Sequence, residues 1–191
     1  MPYDAHFDIQ SLSLHEIGEL VAEQKLPPLD QWQPQKTGDS EMEILPDGTW
    51  LHQGGVIKRP AMVRAFSRLL YCDDNGKYWL KTPYEQLSII VSDAPLIAVE
   101  LTKKGDGVKQ RLFFRLNNDE IIAADAKQKI FLKQGKGEDD GDIFHISLPH
   151  GLFAKASRAV HFELAELICE NENGNMGIWS QNQFFNLGQM A

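Results

Sequence analysis

The amino-acid sequence predicts an α+β fold made of two small domains that repeat one structural motif. Residues 59–71 and 159–170 carry apolar side chains at helical spacing, whereas short β-rich runs bounded by turn residues fill most of the remaining chain. Segregated helices and mainly antiparallel strands are typical of the α+β class. We divide the 191 residues into an N-terminal helix and extended arm (1–43), a first α+β repeat domain (44–92) and a second one (93–191).

The internal repeat is inferred from segments that align between the two halves of the chain. Arg59 aligns with Arg158, and Gly76 aligns with Gly174 at nearly the same offset. In each half a strand leads to an Arg, a helix of about three turns, an acidic Asn-Gly turn and a strand pair that contains an aromatic residue. Two domains related in this way would leave a groove between them, and such grooves are preferred ligand sites.

The N-terminal region is predicted to be a helix followed by an arm. Ser13 and Glu16 have the spacing of a capping box, and apolar residues recur on one helical face as far as about Gln24. Two prolines then end the helix. Residues 26–40 are polar and contain three prolines, so we expect an extended arm that lies over the body of the protein.

The remaining strands are predicted from alternating or continuous apolar runs that turn residues separate. In the first repeat domain they are residues 44–51, 54–57, 78–82 and 87–91. In the second they are residues 96–102, 110–116, 130–133, 143–148, 176–180 and 183–187.

Composition excludes several classes of protein. Hydrophobic residues make up 42% of the chain and charged residues 24%, which is typical of a globular protein. The net charge of −8 argues against a nucleic acid polymer or an anionic membrane surface as a partner. No run approaches the roughly 18 apolar residues of a membrane span, and the first residues do not have the pattern of a signal peptide. We expect a cytoplasmic protein.

The most distinctive local feature is a basic segment in an acidic protein. Residues 48–72 contain no acidic side chain but four basic ones, Lys58, Arg59, Arg64 and Arg68. Arg59 lies at the N-terminus of its predicted helix, where the helix dipole disfavours a cation unless an anion is near. Two explanations remain open. Arg64 could pair with Glu163, which aligns near it in the second repeat, or the segment could bind an anionic ligand.

No catalytic constellation is visible in the sequence. The six histidines are scattered and the two cysteines have no partners at metal-ligand spacing, so we predict no metal site. Glycine-rich phosphate loops and a nucleophile elbow are absent. We therefore predict no catalytic residues and no cofactor.

Several segments, taken together and in order, resemble the uncharacterised bacterial family catalogued as domain of unknown function 1285. They are LPPLDQWQP (26–34), DGTW (47–50), IKRPAMVRAFSRLL (57–70), GKYWLKTPYE (76–85) and VSDAP (91–95). The resemblance continues more loosely through RLFFRLNNDE (111–120) and HGLFAKASRAVHFELAEL (150–167).

The resemblance implies a two-domain α+β fold with a repeated motif, a nucleotide-like ligand in the cleft between the domains, and a role in signalling. Carried over position by position, it implies ligand-binding residues at Trp50, Arg59, Arg64, Tyr78, Lys81, Thr82, Glu85, Asp93, Asn117 and Arg158.

We therefore expect a non-catalytic sensor or adaptor whose partner is a small anionic ligand such as a nucleotide. Arg59 and Arg64 are its leading residues, because a planar guanidinium suits phosphate or carboxylate. The alternatives are a protein-interaction module, which would have a protein partner, and an enzyme that uses Asp93 or Glu85 as acid or base.

Overall fold

The computed structural model describes residues 12–134 and 141–188, and the chain divides into two compact units. Unit 1 contains Met1–Asp93 and His150–Leu152, and unit 2 contains Ala94–Pro149 and Phe153–Ala191. The first eleven residues of the predicted N-terminal segment lie outside the described residues. No helix in the described ranges is long and apolar enough to cross a membrane.

The described residues form three α-helices and fifteen β-strands, which confirms the predicted α+β class. The helices are α1 Leu14–Ala22, α2 Pro60–Ser67 and α3 Arg158–Ala165. The strands of unit 1 are β1 Lys36–Ile44, β2 Trp50–His52, β3 Gly55–Val56, β4 Leu70–Cys72, β5 Tyr78–Lys81 and β6 Glu85–Val91. Those of unit 2 are β7 Leu96–Lys104, β8 Arg111–Leu116, β9 Ile121–Ala123, β10 Ile130–Gln134, β11 Asp142–Ser147, β12 Phe153–Ala156, β13 Cys169–Glu170, β14 Met176–Ser180 and β15 Gln183–Gly188.

The two large sheets share one topology. The sheet of unit 1 has the order β3-β2-β1-β6-β5-β4, and that of unit 2 has the order β10-β11-β12-β7-β8-β9. Each consists of two antiparallel meanders joined at the centre by one parallel pair, β1 with β6 and β12 with β7. Read from β9 to β10, the strand order of the second sheet is that of the first sheet, with β7 to β12 in the places of β1 to β6. A third, three-stranded sheet, β13-β14-β15, completes unit 2.

The structure contains the predicted repeat of helix, turn and strand pair, once in each unit. Helix α2 is followed by the hairpin β4–β5, and α3 is followed by the hairpin β13–β14. Asp73 begins the first turn, and its Oδ1 accepts hydrogen bonds from the amides of Asn75 and Lys77 at 3.0 and 2.9 Å. Asn171 begins the second turn and accepts the equivalent pair, from Asn173 and Asn175, at 3.0 Å each. The repeated motif is therefore confirmed.

The predicted arm is replaced in part by a central strand. Residues 36–44 form β1, which pairs with β2 on one side and with β6 on the other. The sequence obscured this strand because its first half is polar and Glu41, at φ +54°, forms a bulge that breaks the alternation. Ser40 is buried, and its hydroxyl donates to the carbonyl oxygen of Ser88 at 2.7 Å.

Helices α2 and α3 are shorter than predicted. We expected helices over residues 59–71 and 159–170, but α2 ends at Ser67 and α3 at Ala165. In both places the next apolar residues continue the helical spacing outside a helix: Leu69 and Leu167 lie in the closing turns, and β4 and β13 begin at Leu70 and Cys169. Leu69 N donates to Phe66 O at 2.9 Å and Leu167 N to Leu164 O at 3.0 Å, so a tight turn closes each helix.

A tripeptide from the second half of the chain belongs to unit 1. The amide of Cys72, at the edge strand β4, donates to His150 O at 2.9 Å, and His150 Nδ1 lies 2.8 Å from Asp30 Oδ1. Gly151 has φ +72°, and a Cβ there would lie 2.7 Å from Cys72 O. The predicted second domain, residues 93–191, is therefore interrupted at 150–152.

Helix α1 is capped as predicted and packs closely on α2. Ser13 Oγ accepts from the amide of Glu16, whose carboxylate accepts from the amide of Ser13 at 2.8 Å. This hydrogen bond lowers the pKa of Glu16. Gly18 is buried, and a Cβ at this position would lie 2.4 Å from the carbonyl oxygen of Ala65 in α2. Glycine is therefore required by the approach of the two helices and not by its backbone conformation.

Replacing Gly18 with Ala is expected to destabilise the protein, although Ala is the better helix former. Helix propensity alone would favour Gly18→Ala by about 1 kcal/mol. The new Cβ would lie within 3 Å of three backbone atoms of Ala65, which cannot rotate away, so the cost of overpacking should reach about 3 kcal/mol and exceed this gain. Urea unfolding measures the difference. Gly141→Ala is the matched control, because a Cβ there meets no atom within 4 Å. A Gly18→Ala variant as stable as the wild type would contradict the packing described.

The equivalence of the two turns predicts the ranking of two substitutions at Asp73. Asp73→Asn should keep both turn hydrogen bonds, as Asn171 does, and lose only the bond that Trp79 Nε1 donates to Asp73 Oδ2 at 2.9 Å. Asp73→Ala should lose all three bonds, so its melting temperature should fall further. Asp74→Ala at the exposed neighbour is the control. Equal losses from the Asn and Ala variants would show that the turn bonds contribute nothing.

Candidate functional site

The ten predicted ligand-binding residues are divided unequally between the units. Unit 2 contains Asn117 and Arg158. Unit 1 contains the other eight, Trp50, Arg59, Arg64, Tyr78, Lys81, Thr82, Glu85 and Asp93.

Trp50 is a core residue. Its side chain is 2% exposed, and its ring centroid lies 6.3 Å from that of Phe66 in α2. The indole joins α2 to the sheet of unit 1, and the predicted contact of Trp50 with a ligand stays a prediction. Its place in β2, opposite the buried Ile44 of β1, directs the indole to the core side of the sheet.

The basic segment of α2 is partly neutralised within unit 1. Arg59 is exposed at the N-cap of the helix, and its own side chain makes no capping hydrogen bond to the free amides. Arg68 lies 3.7 Å from Glu19 of α1, and Arg64 is half-buried in the last helical turn. The ion pair predicted between Arg64 and Glu163 would join residues of different units, and it stays a prediction.

Tyr78 lies in a hydrophobic setting beside Cys72, its partner across the β4–β5 hairpin. Burial raises the pKa of Tyr78 to about 12, and the proximity of Cys72 and Asp93 adds to the effect. The phenol therefore stays protonated at neutral pH. It can donate a hydrogen bond, but it cannot serve as a base.

Lys81 is a buried lysine held over an aromatic ring. Its side chain is 9% exposed, and Nζ lies 4.7 Å from the ring centroid of Tyr71. The ion pairs found among residues 12–134 and 141–188 do not include Lys81. A cation–π contact with Tyr71 thus provides its electrostatic stabilisation within the described chain.

Thr82 and Glu85 delimit the turn between β5 and β6. The hydroxyl of Thr82 donates to Glu85 O at 2.9 Å and accepts from Glu85 N at 3.0 Å. The amide of Thr82 also donates to Glu85 O, at 2.8 Å. Thr82 is 2% exposed, so its side chain shapes the turn and leaves no group for a ligand.

A cavity of about 410 Å³ lies beside this turn in unit 1. Its lining includes Ile17, Gln35, Lys36, Thr82, Tyr84 and Glu85. The structure therefore brings two of the predicted residues, Thr82 and Glu85, to one cavity.

Asn117 has a structural role. Its side-chain Oδ1 accepts from Ile97 N at 3.0 Å, and its own amide donates to Ile97 O at 2.8 Å. These two bonds attach the turn after β8 to β7. The predicted contact with a ligand is not needed to explain this residue.

A second cavity, of about 430 Å³, lies in unit 2 where β12 leads into α3. Its lining includes Ile143, Lys155, Ala156, Arg158, His161 and Phe162. Arg158 is thus the predicted residue that lies in a cavity with other basic side chains. Lys155 comes from the strand, whereas Arg158 and His161 come from the first turns of the helix.

The aromatic side of this cavity is unusually exposed. Phe162 is 57% exposed, and the Arg158 guanidinium lies 5.8 Å from its ring centroid.

The centroid of the His161 ring lies 5.2 Å from that of Phe144 in the core. His161 Nδ1 is buried and has no hydrogen-bond partner among the described residues. Ser157 caps α3, with its hydroxyl accepting from Val160 N at 3.4 Å.

Sequence reasoning missed Lys155, His161 and Phe162 as site residues. A signal was present in the segment AKASRAVHF, residues 154–162, in which basic residues stand on both sides of a capping serine. Their convergence depends on the angle between strand and helix, which the sequence does not reveal.

Two domains of one protein family match most of the chain. Residues 27–94 match the N-terminal domain of the domain of unknown function DUF1285, and residues 95–187 match the C-terminal domain of the same family. The chain belongs to the DUF1285 family. The resemblance noted in the sequence is thereby confirmed.

Two solved DUF1285 proteins are similar to this chain. One, from Silicibacter pomeroyi, is 35% identical over 86% of this chain and 88% of its own, with a TM-score of 0.78. Another, from Shewanella baltica, is 25% identical over 65% of this chain and 90% of its own, with a TM-score of 0.52. No curated protein matches.

The raised pKa of Tyr78 predicts a loss of stability at alkaline pH. Below about pH 10 the phenol is protonated in both the folded and the unfolded chain, so its contribution is fully present. As the pH rises from about 10 towards 12, the unfolded state ionises first and the free energy of unfolding falls.

The Tyr78→Phe variant should therefore lose less stability than the wild type between about pH 10 and 12. Denaturant unfolding over this range measures the slope, and absorbance at alkaline pH follows tyrosine ionisation. Tyr84→Phe, at a tyrosine that is 38% exposed, is the matched control. Parallel slopes for wild type and Tyr78→Phe would contradict the assignment.

Proposed function

We propose that this DUF1285 protein is a non-catalytic sensor or adaptor that binds a small anionic ligand with a planar ring, such as a nucleotide, with a role in signalling. The observation that carries the proposal is the cavity of unit 2, where Lys155, Arg158 and His161 meet the exposed ring of Phe162. The position between the domains, which the family resemblance implies, stays a prediction.

The charge of the cavity favours an anion. Among residues 12–134 and 141–188, the lining contains the basic residues Lys155 and Arg158 and one acidic residue, Asp142. This basic lining belongs to a chain with a net charge of −8, so the positive charge is local. The guanidinium of Arg158 offers parallel donors that match the oxygens of a phosphate or carboxylate.

The exposed ring of Phe162 favours a ligand with a planar group. A phenylalanine that is 57% exposed leaves apolar surface in water, and covering it with a flat ring removes that surface. Stacking of a base on an aromatic side chain contributes about 1–3 kcal/mol. Arg158 already lies over this ring, so an anionic group and a stacked ring can be held together.

The arrangement supports binding more than catalysis. A histidine that acts as general base is usually oriented by a second group, but Nδ1 of His161 has no hydrogen-bond partner in the described chain. Glu85, one of the acids considered for an enzyme, lines the cavity of unit 1 instead.

Adenosine 5′-monophosphate is the probe for this proposal. At one hundred times its dissociation constant it should raise the free energy of unfolding by about 2.7 kcal/mol, and more than phosphate or chloride at equal ionic strength. The double variant Lys155→Ala, Arg158→Ala should bind at least about tenfold more weakly, because hydrogen bonds to charged groups contribute roughly 1.5–3 kcal/mol. Calorimetry measures both affinities.

Two control variants locate the site. Lys109→Ala with Arg111→Ala removes two exposed basic residues of unit 2 outside the cavity and should leave the affinity unchanged. Arg59→Ala with Arg64→Ala tests the basic segment of α2 in the same assay. If the α2 variant loses the nucleotide and the Lys155, Arg158 variant retains it, the proposed site is wrong. Equal thermal shifts from nucleotide and chloride would indicate screening alone.

A further inference from the structure

Hydrogen bonds join the chain segments that form one wall of the cavity in unit 1. Tyr84 O accepts from the amides of Gln35 and Lys36 at 3.1 and 3.2 Å, which joins the chain before β1 to the turn before β6. Thr82 fixes the same turn through its hydroxyl. These hydrogen bonds hold the two segments together along one side of the cavity.

Two opposite charges line this cavity. Lys36 and Glu85 are the first residues of β1 and β6 and are partners in the parallel ladder. Their Cα atoms are therefore neighbours, yet the ion pairs identified among the described residues include neither side chain. An ammonium and a carboxylate thus line one cavity without pairing with each other.

The other side of the cavity is apolar. Ile17 of α1 is 4% exposed and contributes a buried wall, and Leu12 and Pro83 lie beside it. Tyr84 is 38% exposed and adds an aromatic surface. The volume of about 410 Å³ falls in the range of about 300–1,000 Å³ that is common for small-molecule sites.

We propose that this cavity binds an α-amino acid with an apolar side chain. The ligand's carboxylate would face Lys36, its ammonium would face Glu85, and its side chain would pack against Ile17 and Tyr84. A zwitterionic ligand can pair with both protein charges at once through charge-assisted hydrogen bonds, whereas a ligand with one charge can pair with only one of them. This inference does not rest on the proposed nucleotide site, because the two cavities lie in different units.

Three compounds of nearly equal shape test the need for both charges. L-Leucine carries both groups, 4-methylpentanoate lacks the ammonium, and 3-methylbutylamine lacks the carboxylate. Calorimetry on the full chain should show that L-leucine binds at least about tenfold more tightly than either analogue. Lys36→Met and Glu85→Gln should each weaken L-leucine binding by at least about tenfold.

Matched controls keep the test specific. Lys109→Met and Glu172→Gln make the same chemical changes at exposed positions of unit 2 and should leave L-leucine binding unchanged. Circular dichroism and the melting temperature without ligand check that each variant is folded. Equal affinity for the three compounds, or no binding of L-leucine, L-methionine or L-phenylalanine by the wild type up to about 10 mM, would overturn the inference. Unchanged binding in both Lys36→Met and Glu85→Gln would also overturn it.

Discussion

The parallel pair at the centre of each large sheet is the constraint on which both units depend. Antiparallel strands can be joined by a short turn, whereas a parallel pair needs a long connection. In unit 1 the chain between β1 and β6 supplies β2, β3, α2, β4 and β5. In unit 2 the chain between β7 and β12 supplies four further strands. In each large sheet the parallel pair therefore joins one strand of the first meander to one strand of the second, so neither meander completes the sheet alone.

Both cavities lie at an end of a parallel strand. In unit 1, Lys36 and Glu85 begin the two partners of the central pair, so their charges are brought together by register and not by sequence proximity. In unit 2, Lys155 lies near the end of β12, two residues before Ser157, the N-cap of α3. The topology that holds each unit together thus also places its charged residues. It explains why residues that are far apart in the sequence line one cavity.

Local features of the fold were predictable, and features that depend on strand order were not. The capping box of α1 and the two equivalent turns depend on hydrogen bonds between residues close in the sequence. Residue types such as Ser13, Asp73 and Asn171 are typical of such bonds and therefore predict them. Strand β1 was missed because its first residues are polar and exposed and a bulge interrupts its alternation. Its central place in the sheet depends on pairing with β2 and β6, which the local sequence does not reveal. The site divides in the same way. Arg158 was predicted through family resemblance, whereas Lys155, His161 and Phe162 were not, because their convergence depends on the angle between strand and helix.

Both copies of the repeated motif place an arginine where a helix dipole disfavours it. Arg59 is the N-cap residue of α2, and Arg158 is the first residue of α3. A cation at this end of an exposed helix costs about 0.3–1 kcal/mol, and an anion near the free amides removes the cost. In α3 the capping serine and the stacking of Arg158 on Phe162 offset part of it. In α2 the side chain of the N-cap residue, Arg59, makes no capping hydrogen bond. The two copies of the motif therefore share the same local electrostatic cost, and the anion proposed for the cavity beside α3 would relieve that cost at Arg158.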